Sequence, residues 1–348
     1  MTEKERFGRF SGFRVGFLAT AVFWAAACQT PTTLGNIQKI FSGSAIDLAG
    51  ATAQVSAPEL PNGGLGWVTV SIPVRAGREV PSSLRVSAQF VEALKAEETV
   101  KADSQGKVSA IDLVFFDSDR ASVEGKSSPS KLFSAFLPVP YDHPAGRARV
   151  IVSLKDQDEI RQIEVPFQVV DGKYSSETLR VNPRRVNPPK GDLPRIAQEV
   201  KEVGGVYRNL ERTKFWQGPF ELPIRSEVTS AYGTRRVYNG ALKSFHSGLD
   251  LRAPVGTPIY AAAPGKVSLA KELFFTGNTV ILDHGYGVMT LYAHMSELKV
   301  KAGDVLTAKQ LVGLSGQTGR VNGPHLHWQA VIDGVKVNPV GLTQEQVP

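Results

Sequence analysis

The stretch GPHLHWQAVI, residues 323–332, places two histidines one residue apart in a chain that has only six. Read as a β-strand, its side chains alternate between two faces, so His325, His327 and Gln329 share one side. Leu326, Trp328, Ala330 and Ile332 share the other and make an apolar face. This is the pattern of a half-buried strand with imidazoles on its open side. Two imidazoles converging on a polar groove suit either a metal site or an acid–base site.

The same alternation applied outward finds two partners for that strand. In FHSGLDL, residues 245–251, an extended backbone puts His246, Gly248 and Asp250 on one face and Ser247, Leu249 and Leu251 on the other. In VMTLYAHM, residues 288–295, Thr290, Tyr292 and His294 share a face opposite Met289, Leu291, Ala293 and Met295. One sheet can gather all three segments. Two histidines and a carboxylate with an open fourth position suit a catalytic zinc ion, which polarises a carbonyl and lowers the pKa of its water toward ~7. Histidines beyond those the metal needs can serve as general base and as support for an oxyanion. A Cys-rich structural zinc site is excluded, because the chain has one cysteine, Cys28.

Taken in order, HSGLD, YAHM and GPHLHW resemble the signatures of the lysostaphin/LytM-type zinc metallopeptidases, the M23 family. The surroundings resemble the family too: YGTRR before the first motif, APVGTPIYAAAPGKV after it, then GNTVILDHGYG and KAGDVLTAKQLVGLSGQTG. The likeness covers roughly residues 220–342. It implies a small antiparallel β-sheet groove holding one Zn2+ ion, with His246, Asp250 and His327 as ligands. His294 and His325 are implied as the pair that activates water and stabilises the tetrahedral intermediate. His284, in the turn LDHGYG, is assigned a structural role, and Gly233 and Arg235 are read as fold elements near the groove. The glycines beside the motifs, such as Gly319 and Gly323, are read as turn residues. The resemblance implies a zinc-dependent endopeptidase acting on peptidoglycan stem-peptide cross-links, in an envelope setting a D,D-endopeptidase. The alternatives are a non-catalytic LytM-type scaffold that binds peptidoglycan and activates another wall hydrolase, and an endopeptidase acting on proteins.

The remainder of the chain sets this domain in context. At 348 residues it has room for two cores, and 42% hydrophobic with 21% charged residues is the composition of a globular protein. The 33 glycines and 22 prolines favour β structure. The formal charge of +7 suits an acidic or polyanionic partner, but it is spread along the chain and so is only a weak argument for nucleic acid, which is not expected as a partner. At the N-terminus, Lys4, Arg6, Arg9 and Arg14 precede the apolar run VGFLATAVFWAAA, residues 15–27, too short to span a bilayer. The run ends at Cys28, and AAAC resembles a bacterial lipobox with Ala25 where leucine is usual. The expectation is a lipoprotein-type signal peptide over 1–27 with lipidated Cys28 as membrane anchor, and Gln29 fits outer-membrane sorting of a periplasmic protein.

Residues 28–65 are small, polar and Pro/Gly-punctuated and read as a flexible tether. Residues 66–171 alternate in short Val-, Ile- and Phe-rich runs and read as an antiparallel, Ig-like β-sandwich, with His143 solvated in a turn. Residues 172–219 read as linker and helix. The basic, proline-rich RVNPRRVNPPKGD is a linker or a polyanion-binding strip. Asp192 is placed to cap a helix with Pro194 in its first turn, and Ile196, Val200, Val203, Tyr207 and Leu210 form its apolar stripe. Gly204–Gly205 weaken that helix, which is read as a brace between the domains.

Overall fold

The structure is a computed structural model and describes residues 46–75, 78–92, 110–117, 130–179, 188–238 and 242–344. The signal segment, Cys28 and the 180–187 part of the basic linker lie outside the described residues. The described part is built mainly of strands, as the alternating patterns require. Two sheets face each other in the N-terminal half. One has four strands, with Leu65–Pro73 and Ser130–Pro138 at its centre. The other has five, with Gly146–Asp156 between Glu159–Val170 and Arg85–Glu92. Val68, Val70 and Ile72 from one sheet meet Phe90, Val150, Val152 and Phe167 from the other in one core.

Two readings of this half change. The tether does not reach residue 65: Ile46, Leu48 and Ala51 are buried in the sandwich core, and Thr52–Val55 pairs with Leu65–Pro73. Edge strands of three or four residues among prolines are too short to show a period, so only cross-strand pairing reveals them. His143 is buried rather than solvated. Its ring stacks on Phe90 at 5.2 Å, and its turn is held by Asn62 Nδ2, which donates to the His143 carbonyl at 3.3 Å.

In the C-terminal half an eight-stranded antiparallel sheet has His325–Ile332 at its centre, between Leu249–Arg252 and Val288–Met295. One face carries Leu249, Leu251, Tyr292, Leu326, Trp328 and Ile332 into the main core. The other face is divided. Leu269, Ile281, Met289, Leu291 and Val331 are covered by the helix Leu193–Arg208 through Val203, Val206 and Tyr207. The rest of that face is open and carries His325 and His327.

The helix corrects three expectations. It runs unbroken through Gly204–Gly205. Asp192 sits in a 3-10 turn and its side chain makes no capping bond, because its backbone is already helical. Val200 is exposed and Leu210, also exposed, lies beyond the helix, so the half-buried stripe is Val203, Val206 and Tyr207. It therefore packs on the sheet that bears the histidines, where Glu199 accepts the Phe274 N–H at 2.7 Å and Lys271 pairs with Glu202 at 3.0 Å.

The sandwich and this sheet are joined by aromatic side chains. Tyr141 stacks on Phe245 at 3.8 Å with the planes 6° apart, and Phe116 packs edge-on to Trp216 at 5.3 Å. The segment after the sandwich adds a strand, Ser176–Leu179, in parallel to Arg235–Tyr238.

Candidate metal centre

Register brings the first and last motifs together. Asp250 lies opposite His327 and Leu251 opposite Leu326, so the carboxylate and the imidazole share the open face. His246 arrives from the loop before that strand. A side chain at Gly248 would come within 2.6 Å of the His327 ring and of the Trp328 carbonyl, so only glycine allows this approach. The three donor atoms converge: His246 Nε2 and Asp250 Oδ1 are 2.9 Å apart, His327 Nδ1 and Asp250 Oδ1 2.8 Å, and the two nitrogens 3.0 Å.

The chemistry of this set asks for a cation. His246 Nδ1 lies 3.0 Å from the Ala231 carbonyl, which can only accept, so the proton is on Nδ1. Nε2 then presents a lone pair to a carboxylate oxygen. Burial raises the Asp250 carboxyl, and the facing imidazoles of His246 and His327 pull it well below the usual carboxylate range only where they donate to it, which His246 with its proton on Nδ1 does not. Burial pushes the His327 imidazole down, against its bond to Asp250. Lone pairs meeting an anion at this spacing are what one divalent ion satisfies, so the residues fit zinc. His246, Asp250 and His327 form a His/Asp/His group able to hold a metal.

His294 reaches the same cleft by a route that alternation does not foresee. Ala293, not His294, lies opposite His327, and Thr290 and Tyr292 are buried on the core face. The expectation that Thr290, Tyr292 and His294 share one face therefore fails. The ladder to Gly277–Asp283 slips between Val280–Tyr292 and Asn278–Met295, leaving one extra residue on the histidine strand. His294 takes up that bulge in the left-handed region, φ 63°, a conformation that costs about 1–3 kcal/mol for a residue with a side chain. The bulge turns its ring to 5.0 Å from His325 and 6.0 Å from His327.

The two remaining imidazoles are oriented alike. His294 Nδ1–H donates to the Thr318 carbonyl at 2.9 Å, and His325 Nδ1–H donates to the Gly323 carbonyl at 2.9 Å. Each therefore keeps Nε2 as an acceptor, and that of His325 lies 3.7 Å from Asp250 Oδ1. Burial, reinforced by the neighbouring His327 and His325, pushes His294 down to about 3, so it is neutral at pH 7. The five residues line one cleft of about 470 Å³.

With this geometry in place, the chain was compared with known proteins. Residues 244–339 match peptidase family M23. The chain carries an M23 peptidase domain. Over 119 residues the chain is 43% identical to the peptidoglycan DD-endopeptidase ShyA of Vibrio cholerae, covering 33% of this chain and 28% of that one. It is also 43% identical over 119 residues to the DD-carboxypeptidase/endopeptidase Mpg of Neisseria meningitidis, covering 34% and 27%. The match thus spans less than a third of either relative. A Pseudomonas aeruginosa crystal structure described as a peptidase M23 shares the fold with a TM-score of 0.54 at 24% identity, over 82% of this chain and 95% of that one.

Other residues around the M23 site carry no motif. Arg236 places Nη2 3.0 Å from Ser230 Oγ and 3.5 Å from Asp250 Oδ2, while its Nε pairs with Glu177 at 2.8 Å. Arg320 lies over the Phe275 ring at 4.6 Å and its N–H donates to the Phe275 carbonyl at 2.8 Å. The sequence singles out Arg235 next door, but which of two adjacent arginines faces the cleft is set by the strand's pairing. His284 stands apart from the cleft, fully buried, with Nδ1–H donating to the Pro264 carbonyl at 2.7 Å and Nε2 bonded to the Thr290 hydroxyl at 2.8 Å.

Proposed function

We propose that this chain is a zinc metalloendopeptidase that hydrolyses the D,D cross-links between peptidoglycan stem peptides. The observation that carries the reading is the convergence, in one cleft, of three metal-competent donors and two further imidazoles with their acceptor nitrogens uncommitted to the backbone. His246, Asp250 and His327 would hold the ion, and zinc bound there would supply Lewis acidity to a carbonyl and acidify water. His294 and His325 act as the proton carriers. Because Nδ1 of each is fixed as a donor to a carbonyl, Nε2 takes a proton from the attacking water and later returns it to the leaving amine. Once protonated, the same atom donates to the developing oxyanion. A pure scaffold needs none of this orientation, which favours turnover over the binding reading.

The endopeptidase names of the relatives support a peptidoglycan substrate and an envelope location. Lipidation at Cys28 would then hold the enzyme at the outer membrane, facing the periplasmic wall. Among the described residues no helix is long and apolar enough to cross a membrane.

The test is digestion of purified Gram-negative sacculi by the soluble chain from Gln29, with released fragments identified by mass spectrometry. The expected result is conversion of cross-linked dimers to monomers that needs both zinc and His325. Sacculi left intact by the zinc-loaded chain, or cut equally well by His325→Ala, would overturn the assignment.

A further inference from the structure

A second cavity, of about 690 Å³, adjoins the catalytic cleft and shares Arg236, Ser244, Phe245 and Lys336 with it. Its other side is formed by the sandwich, through Pro140, Tyr141 and Asp142. The cavity is therefore an annex of the cleft that only the two-part assembly creates. The stack of Tyr141 on Phe245 and the bond from the Tyr141 hydroxyl to the Gly233 carbonyl, 3.1 Å, fix that wall in place. A side chain at Gly233, φ 83°, would run into the Tyr174 ring, so this contact is also built on a glycine.

The lining joins apolar surface to cations. Val237, Val335, Tyr141 and Phe245 supply the first, and Arg235, Arg236 and Lys336 the second. Arg236 is engaged by Glu177 and Asp250, whereas no ion pair is made by Arg235 or Lys336 among the described residues. Asp142 is the one carboxylate in the lining. Two cations with no ion-pair partner among the described residues, beside aliphatic and aromatic surface and adjoining the cleft, complement a short peptide that ends in or carries a carboxylate.

We propose that this annex is a substrate subsite that binds the stem-peptide arm flanking the scissile bond through its free carboxylate, read by Lys336 and Arg235. The sandwich is then part of the substrate-binding surface and not only a spacer. The inference rests on the peptidoglycan reading above for the identity of the peptide.

Two synthetic cross-linked stem peptides test it, identical except that the carboxylates flanking the scissile bond are free in one and amidated in the other. Binding is measured by calorimetry on the zinc-loaded full chain carrying His325→Ala, and turnover on the unsubstituted chain. The expected result is roughly 10- to 100-fold tighter binding of the free acid, the range of a lost charge-assisted bond. The difference should appear in KM with kcat little changed, and should collapse in the Arg235→Gln, Lys336→Gln double variant. Equal affinity for both peptides, or binding of neither, overturns the proposal, and that comparison stands on the wild-type surface even if the double variant fails to fold. Equal KM values with efficient cleavage would sink the subsite and leave the endopeptidase standing. Preferential binding of the acid without cleavage would do the reverse.

Discussion

His284 and His294 lie at opposite ends of the same sheet and begin from the same chemistry. Each donates Nδ1–H to a backbone carbonyl, from Pro264 and Thr318 respectively, and burial lowers the proton affinity of each, to about 4 and about 3. They differ in the second nitrogen. At His284 it is bonded to the Thr290 hydroxyl, which is linked in turn to the Tyr292 hydroxyl at 3.1 Å, so all polar capacity is used inside the core. At His294 a bulge and a left-handed backbone bring the ring to the cleft, where Nε2 has no hydrogen-bond partner among the described residues. Burial and a lowered pKa are therefore common to both histidines; an uncommitted nitrogen aimed into a cleft is what sets His294 apart.

Alanine substitution separates the two most sharply. His294→Ala should reduce release of cross-link fragments from sacculi by roughly 10²- to 10⁴-fold, the usual contribution of a general base, while the urea midpoint moves little. His284→Ala should do the opposite, costing about 2–4 kcal/mol through a cavity and unpaired Pro264 and Thr290 groups. Its activity per folded molecule should stay near that of the parent. If both substitutions moved the same observable, the distinction between them would fail.

Acid titration sharpens the comparison. Burial pushes the folded His284 down to about 4 from the 6.5 of a free imidazole, so between those values the unfolded chain binds a proton that the folded chain refuses. Stability is then fully present above about 6.5, falls as the pH drops, and levels off below about 4, a loss of about 3 kcal/mol from this group. Urea titrations of the parent and of His284→Phe across this window should show a shallower slope in the variant. A slope unchanged by the substitution would assign the acid loss elsewhere.

The smallest effect is expected where the open face of the sheet is covered. Val206→Ala, on the helix Leu193–Arg208, removes half-buried methyl groups packed against the cluster that includes Leu291 and Val331 and should cost about 1 kcal/mol. Hydrogen exchange should show the loss in that helix and its neighbouring strands, with the cleft unaffected. Exchange spreading to the Leu249–Arg252 strand would mean that the covered and open halves of this face unfold together.

Three of the five residues of the cleft were legible from the sequence because they obey a local rule, and His246, in the loop before its strand, was legible through its motif. His325 and His327 alternate with Leu326 and Trp328, and Asp250 alternates with Leu249 and Leu251, so side-chain period and hydrophobic burial suffice to place them. His294 was legible only through the order of the motifs, since the alternation that named it puts it on the wrong face. A bulge leaves no trace in a hydrophobic pattern; it arises when two strands of unequal length must be paired. The same holds for Arg236 and Lys336, and for the early strand Thr52–Val55, all of which depend on partners far along the chain.

What the sequence determined by itself is the set of groups available to the chemistry: four imidazoles and a carboxylate in three short motifs, and no thiol outside the N-terminal segment. Those follow from residue type and local spacing, which the backbone carries directly into side-chain direction. Tertiary structure decided which face His294 serves, where the helix packs, and that the sandwich walls the cavity adjoining the cleft. Each of these rests on contacts between segments tens to more than a hundred residues apart, as between Tyr141 and Phe245, and such contacts are selected by packing and pairing across the whole fold.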